Sequence, residues 1–312
     1  MRENDLLQHI YAANPGLATA FPGVTIPPGD DMGAIEFGGR TLLVAADQVI
    51  NRVHFDLTRT PLEKIGRKAI TRNLSDVAAM AARPAAAVAA VALPRGFGHD
   101  RAAALFDAMR LTGESFGCPL IGGDTAIHDG PLSISVTVLA EPWDGVEPVR
   151  RRGEDMQQLP RVGDAIYVTG ELGNSFATGH HLDFTPRLEL AKFLAENPAT
   201  RPTAMMDLSD GLAQDLPRLV AHAELQARVL PVREGTPEPR WHHAIGDGED
   251  YELLFTAAAD APIPDAFGED DDAVLITRVG TVTDAGGIVV ITPENQRVRL
   301  EDSGAGGWEH TS

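Results

Sequence analysis

Asp207 and Asp210 stand three residues apart in AMMDLSDGLAQDL, residues 204–216, behind an apolar run and ahead of a glycine. Similar placements recur along the chain: Asp30-Asp31 in PGDDMG, Asp47 after VAA, Asp76 in NLSD, Asp124 in GGDT and Glu249-Asp250 in GDGEDYE. Most of these acids follow or interrupt apolar segments, and several have Gly or Ser neighbours that let the backbone approach a ligand closely. Carboxylates gathered in one place repel one another, and divalent cations relieve the repulsion while bridging to phosphate oxygens. Mg2+ takes oxygen ligands of this kind. Lysine occurs only at Lys64, Lys68 and Lys192, and no G-x-x-x-x-G-K-[ST] loop is present, so phosphate chemistry here must rely largely on metal ions. Together these acids point to a multi-metal phosphate site. Taken singly, each has a plainer reading: Asp210 before Gly211-Leu212 fits a helix N-cap, and Asp207 the positive end of a helix dipole.

Composition narrows the classes. The 312 residues, 43% of them hydrophobic, are enough for two domains with sizeable cores. A formal net charge of −19 argues against nucleic-acid binding driven by counterion release. An acidic surface is the plain explanation of that charge, and clustered metal-binding Asp is compatible with it. No long uncharged apolar run reads as a membrane span, and the N-terminal MRENDLLQHIYAANPG lacks the clean apolar stretch of a signal peptide. A lone Cys118 allows no internal disulfide and suits a reducing, cytoplasmic setting.

The elements that must position these acids alternate between strand and helix in both halves, which predicts an α/β or α+β fold. Residues 2–13 read as a short helix, residues 40–46 as a strand ending at Asp47, and residues 60–84 as the clearest helix. In that helix Thr60 is the expected N-cap, Pro61 the first helical residue and Glu63 the closing member of a capping box, with Pro84 as the stop. A buried strand over 85–94, an amphipathic helix over 100–117 and two strands joined at His128-Asp129-Gly130 follow. The chain turns polar and rich in Arg, Pro and Gly from 142 to 163, which predicts domains over 1–141 and 164–312 with a linker between. Beyond it, strands are expected over 164–170, near 225–231 and over 251–257, and helices near 173–181 and 186–196. Asp215 reads as helix surface charge and Glu252 as a solvent-facing strand residue.

The motifs GDD (29–31), D-x6-HFD (47–56), G-x-KA-x3-NLSDVAAM (66–80), GGDT (122–125), GDAIYVTGELGNS (163–175), PRLEL (186–190), MMDLSDGLAQDL (205–216) and GEDYELLFT (248–256) keep one order over nearly the whole chain. In this set the chain resembles the thiamine-monophosphate kinases, relatives of aminoimidazole ribonucleotide synthetase and selenophosphate synthetase. The resemblance implies a two-domain PurM-like fold, with an N-terminal sheet that pairs across a homodimer and a C-terminal α/β domain. It implies direct, Mg2+-assisted transfer of the γ-phosphoryl group of ATP to thiamine monophosphate, giving thiamine diphosphate. Carried over by motif, the metal ligands are Asp31, Asp47, Asp76, Asp124, Asp207 and Asp210, with Asp30 assisting. Gly123, Arg151 and Ser209 contact nucleotide, while His54, Asp250 and Trp308 face the thiamine moiety. No catalytic side chain is implied, because the attacking phosphate oxygen is already ionised and transfer depends on positioning and charge neutralisation.

The chain departs from the family pattern at Ala45-Ala46, where hydroxyl residues usually precede Asp47, and at Asn51-Arg52, which replace an acidic-Gly pair ahead of His54. The register of Arg151 also leaves Arg150 and Arg152 open for its role. His54 and Asp250 each have a structural alternative, and Trp308 could simply pack the tail. A same-fold ATP-dependent enzyme with another acceptor, and a non-catalytic nucleotide-binding relative, remain as other readings; retention of all six candidate metal Asp residues argues against the second.

Overall fold

The computed structural model describes Leu6, His9, residues 16–153 and residues 157–306. After a short helix α1 (Leu17–Ala20), the first half forms strands β1 (Val24–Ile26), β2 (Gly33–Phe37), β3 (Arg40–Ile50), β4 (Ala82–Pro94), β5 (Leu120–His128) and β6 (Ser133–Pro142). They make one sheet in the order β1-β2-β3-β6-β4-β5. Only β4 and β5 run parallel, joined by the crossover helix α3 (His99–Ser115), as parallel strands require. Helix α2 (Leu62–Ala79) lies against this sheet. Its Ile65, Ile70, Leu74 and Val77 meet Leu43, Val91, Ile134, Val136 and Val138 of the strands and Leu105 and Met109 of α3 in one core.

The second half contributes β7 (Ala165–Thr169), β8 (Ala204–Asp207), β9 (Ala223–Gln226), β10 (Leu253–Ala257), β11 (Ala266–Phe267), β12 (Val274–Val282), β13 (Ile288–Ile291) and β14 (Arg297–Arg299). The second sheet runs β14-β13-β9-β12-β7-β10-β8, with β11 paired to β12. Helices α4 (Ser175–Thr178), α5 (His180–Asp183), α6 (Leu188–Glu196), α7 (Leu212–Leu219) and α8 (Arg240–Gly246) complete it. Its central strands are buried along their whole length because both faces are covered. Alternate side chains divide between two cores. Tyr167, Met205 and Phe255 join the core of α2 and the first sheet, while Ile166, Val168, Met206 and Leu254 pack with Leu212 and Leu216 of α7. The larger core therefore runs through both halves.

Several local expectations are corrected. Helix α2 begins at Leu62, Pro61 stands at the N-cap position without a side-chain cap, and no capping box forms. Asp56 does the local fastening instead, accepting the Thr58 N–H at 2.9 Å and the Thr58 hydroxyl at 2.7 Å. The helix ends well before Pro84: Ala81 takes a left-handed φ of 48° and turns the chain straight into β4. Pro84 lies inside that strand, where an irregularity between Pro84 and Ala86 accommodates its missing N–H. Strand β3 continues through Asp47 to Ile50, so Asp47 is a mid-strand residue. Residues 227–229 form a 3-10 turn where strand was expected. Among the described residues no helix is long and apolar enough to cross a membrane.

Candidate functional site

Asp31, Asp76 and Asp207 come together where the two halves meet. Each offers a carboxylate oxygen, and these oxygens lie within 4.8 Å of one another. The turn before β2 carries Asp31, the last turn of α2 carries Asp76, and β8 ends at Asp207. Ser75 bridges the halves by donating its hydroxyl to Asp207 Oδ2 at 2.7 Å. Among the described residues the Asp76 carboxylate has no hydrogen-bond or ion-pair partner, and the buried Asp31 Oδ2 has no hydrogen-bond partner. Burial, reinforced by mutual repulsion, pushes Asp31 up to about 6 and Asp207 up to about 7 and raises Asp76 well above the usual carboxylate range. An oxygen-only, under-neutralised donor set with an unsatisfied buried oxygen suits a hard divalent cation.

The other sequence-predicted residues surround this cluster at different removes. Asp30, whose side chain is 1% exposed, accepts the Arg151 N–H at 2.7 Å and Arg150 Nε at 3.3 Å. Arg151 then donates to the Gly29 carbonyl at 2.7 Å and to Asp31 Oδ1 at 3.3 Å. Of the three neighbouring arginines, Arg151 is thus the one whose guanidinium meets the cluster, while Arg150 braces Asp30. Asp47 accepts Arg72 Nε at 2.5 Å, and its N–H donates to Asn73 Oδ1 at 3.1 Å. Asp124 lies on β5, an exposed edge strand, outside the three-carboxylate group. Beside it, Gly123 adopts a φ of 155°, and a Cβ there would overlap the Ala89 carbonyl oxygen of β4.

Asp210 is not a helix cap. Gly211 holds that position with a φ of 86°, and a Cβ on it would stand 2.5 Å from the Asp247 carbonyl oxygen. The Asp210 carboxylate pairs with Arg218 at 2.7 Å, and its N–H donates to Asp215 Oδ2 at 3.0 Å. Asp215 is therefore no surface charge: it is fully buried and shares Arg218. Glu252 is likewise buried rather than solvent-facing, gripped by Arg187 Nε at 2.7 Å and the Thr169 hydroxyl at 2.6 Å. Ser209, between the two aspartates, accepts the Glu249 N–H on its carbonyl at 2.7 Å.

On the acceptor side, His54 is buried and takes the Ile50 N–H on Nδ1 at 3.0 Å. It belongs to the loop over 51–60, whose Arg52, Phe55 and Thr58 line a cavity of about 870 Å³ facing Phe176 and His181. Asp250 pairs with Arg233 at 2.8 Å and accepts the Gly173 N–H at 3.0 Å, and burial outweighs these partners to push it to about 7. Trp308 lies outside the described residues. The reading of the sequence counts Glu249 among the acids but passes over Lys68, Arg72 and His181, which join its carboxylate in a group between the cavity and the cluster. A signal was present: Lys68, Arg72 and Asp76 recur every four residues on one helix, which places them on one face.

Comparison with known proteins identifies the family and the fold. Residues 29–141 match the family model for AIR synthase related protein, N-terminal domain. The thiamine-monophosphate kinase of Rhodopirellula baltica is 34% identical over 304 residues, 90% of each chain. Among solved structures, AaThiL complexed with AMPPCP and TMP superposes with a TM-score of 0.76 at 25% identity, covering 100% of this chain and 99% of that one. Thiamine-monophosphate kinase from Stenotrophomonas maltophilia K279a gives 0.66 at 29% identity, covering 91% and 95%. The mixed α/β arrangement is thus the PurM-like one.

Proposed function

The chain belongs to the thiamine-monophosphate kinase family, a family of phosphotransferases, and we propose that it transfers the γ-phosphoryl group of ATP directly to the phosphate of thiamine monophosphate. The observation that carries this reading is the three-carboxylate cluster, assembled from both halves and left short of cations, beside Arg151. The bound state of the relative AaThiL, with AMPPCP and TMP, supports the same pair of substrates.

Asp31, Asp76 and Asp207 would hold Mg2+, with Asp47, Asp124 and Asp210 as outer members of the set. When bound, the ion neutralises phosphate charge and brings donor and acceptor together. Asp30 fixes the backbone of Arg151, so its guanidinium is held ready for a nucleotide phosphate. Gly123 and Ser209 present backbone on the nucleotide side. His54 and Asp250, with Trp308, are assigned to the acceptor, and the cavity under the 51–60 loop is the space offered to it. No side chain has to remove a proton from an ionised phosphate.

In this reading residues 1–141 and 164–312 act as two domains joined by 142–163, and the protein works in the cytoplasm as a homodimer. The open edge of β5 supports the dimer: Ile121 and Ile127 are 64% and 67% exposed on a strand whose outer edge has no partner among the described residues. The test offers ATP and Mg2+ with thiamine monophosphate or thiamine as acceptor. Thiamine diphosphate from the monophosphate, and no reaction with thiamine, is the expected result. ATP binding without product would overturn the acceptor assignment.

A further inference from the structure

The ammonium of fully buried Lys68 donates to the His54 carbonyl at 2.9 Å, contacts His181 Nδ1 at 2.8 Å and pairs with Glu249 Oε2. Glu249 Oε1 accepts the Tyr251 hydroxyl at 3.0 Å and lies 3.7 Å from Arg72 Nη1. Arg72 reaches onward to Asp47. A continuous polar chain thus runs from the cavity wall at His181 to the edge of the carboxylate cluster. Burial alone would raise Glu249, but contact with His181 and the charges of Lys68 and Arg72 more than offset it, so its carboxyl is held well below the usual range. The backbone bends to seat this group. Glu249 and Tyr251 take φ of 66° and 52°, left-handed values costly for residues with side chains, and such outliers concentrate at functional sites.

Arg72 stands between two carboxylates, close to Asp47 and within reach of Glu249. We propose that Glu249 is a positioning residue that competes with Asp47 for Arg72, so that Asp47 is available to a divalent cation, and that Lys68 sets how strongly Glu249 competes while tying the His54 loop and His181 into place. The inference rests on the cation site of the functional reading. Its consequences have opposite signs. With Glu249 neutralised, Arg72 falls wholly to Asp47 and the local potential becomes less negative, so a cation binds more weakly. With Lys68 neutralised, Glu249 draws Arg72 away from Asp47, so the cation binds no more weakly, while the acceptor loop loses its anchor. General damage to the fold would move both variants the same way.

The experiment uses the full chain without nucleotide and Mn2+ alone as probe, read from loss of the free-ion EPR signal, together with the KM for thiamine monophosphate. Glu249→Gln should weaken Mn2+ binding about tenfold, a usual size for a residue acting through a ligand. Lys68→Met should bind Mn2+ at least as tightly as the unaltered protein and show an acceptor KM raised about tenfold. If Glu249→Gln does not fold, Arg72→Gln gives the same reading by removing the competitor, and must tighten Mn2+ binding. Equal weakening in Glu249→Gln and Lys68→Met, no change in either, or weakening by Arg72→Gln overturns the inference. An unaltered protein that binds no Mn2+ overturns the cation site itself, and the inference with it.

Discussion

Two groups of acids lie close together in this molecule and are neutralised differently. Asp210 stands just ahead of α7 and Asp215 in its first turn, and that helix supplies the cation for both, Arg218, at 2.7 and 2.8 Å. Asp31, Asp76 and Asp207 come from a turn, a helix and a strand far apart in the chain, and among the described residues only Arg151 pairs with any of them. A local acid pair can carry its counter-ion in the same few residues. An assembled group has no such neighbour and depends on what the fold or the solution brings. The buried Asp215 is accordingly a fastener that receives the Asp210 N–H, while the carboxylate of Asp76 faces two other carboxylates.

That contrast can be broken by substitution. Asp76→Asn and Asp207→Asn each remove an uncompensated carboxylate, and each should lower kcat by about 100-fold or more while leaving the fold intact by circular dichroism. Losses below about tenfold would place the cation elsewhere. Asp210→Asn removes a charge already paired with Arg218, and a smaller fall in kcat, about tenfold or less, is expected. A loss equal to that of Asp76→Asn would mean that Arg218 gives way to the cation. Asp215→Ala leaves Arg218 and the Asp210 N–H short of an acceptor, and urea unfolding should show a loss of about 1–3 kcal/mol.

The smallest effect is a pH dependence with a defined sign. Carboxyls whose pKa is raised by folding hold protons more tightly in the folded protein. Their contribution to stability is full below about pH 4 and falls as pH rises through about 6 and 7, the values reached by Asp31 and Asp207. The melting temperature of the metal-free protein should therefore fall by a few degrees between about pH 5 and 7.5 from this source. Mg2+ should restore most of it, and Asp76→Asn should flatten the slope; a slope unchanged by Mg2+ would detach these groups from the cation.

The sequence made the cluster legible where motif and burial coincide. Asp76 interrupts an apolar run between Leu74 and Val77, and it lies where three carboxylates meet. Legibility failed where partners are distant. Glu252 looks like an exposed strand residue until Arg187, 65 positions away, is seen to grip it. Nothing local announces that Ser75 will reach Asp207 across 132 positions. Asp215 was recoverable, because Arg218 follows it by three on the same helix face. Fold class came through from alternating strands and helices, whereas ends did not. The stop of α2 depends on a left-handed Ala81, which no residue preference signals, and Pro84, the expected breaker, is absorbed by a strand irregularity. The shared core was hidden for a related reason: runs such as AIYVT reveal burial on both faces but not which half of the molecule covers each face.

The most direct test follows thiamine diphosphate formed from ATP and thiamine monophosphate by the purified protein as Mg2+ is titrated from zero. Product that is absent without the cation and rises to saturation with it is the expected result. Product formed at full rate with the cation chelated, or none at any Mg2+ concentration, would contradict the assignment of the Asp31-Asp76-Asp207 cluster to phosphoryl transfer.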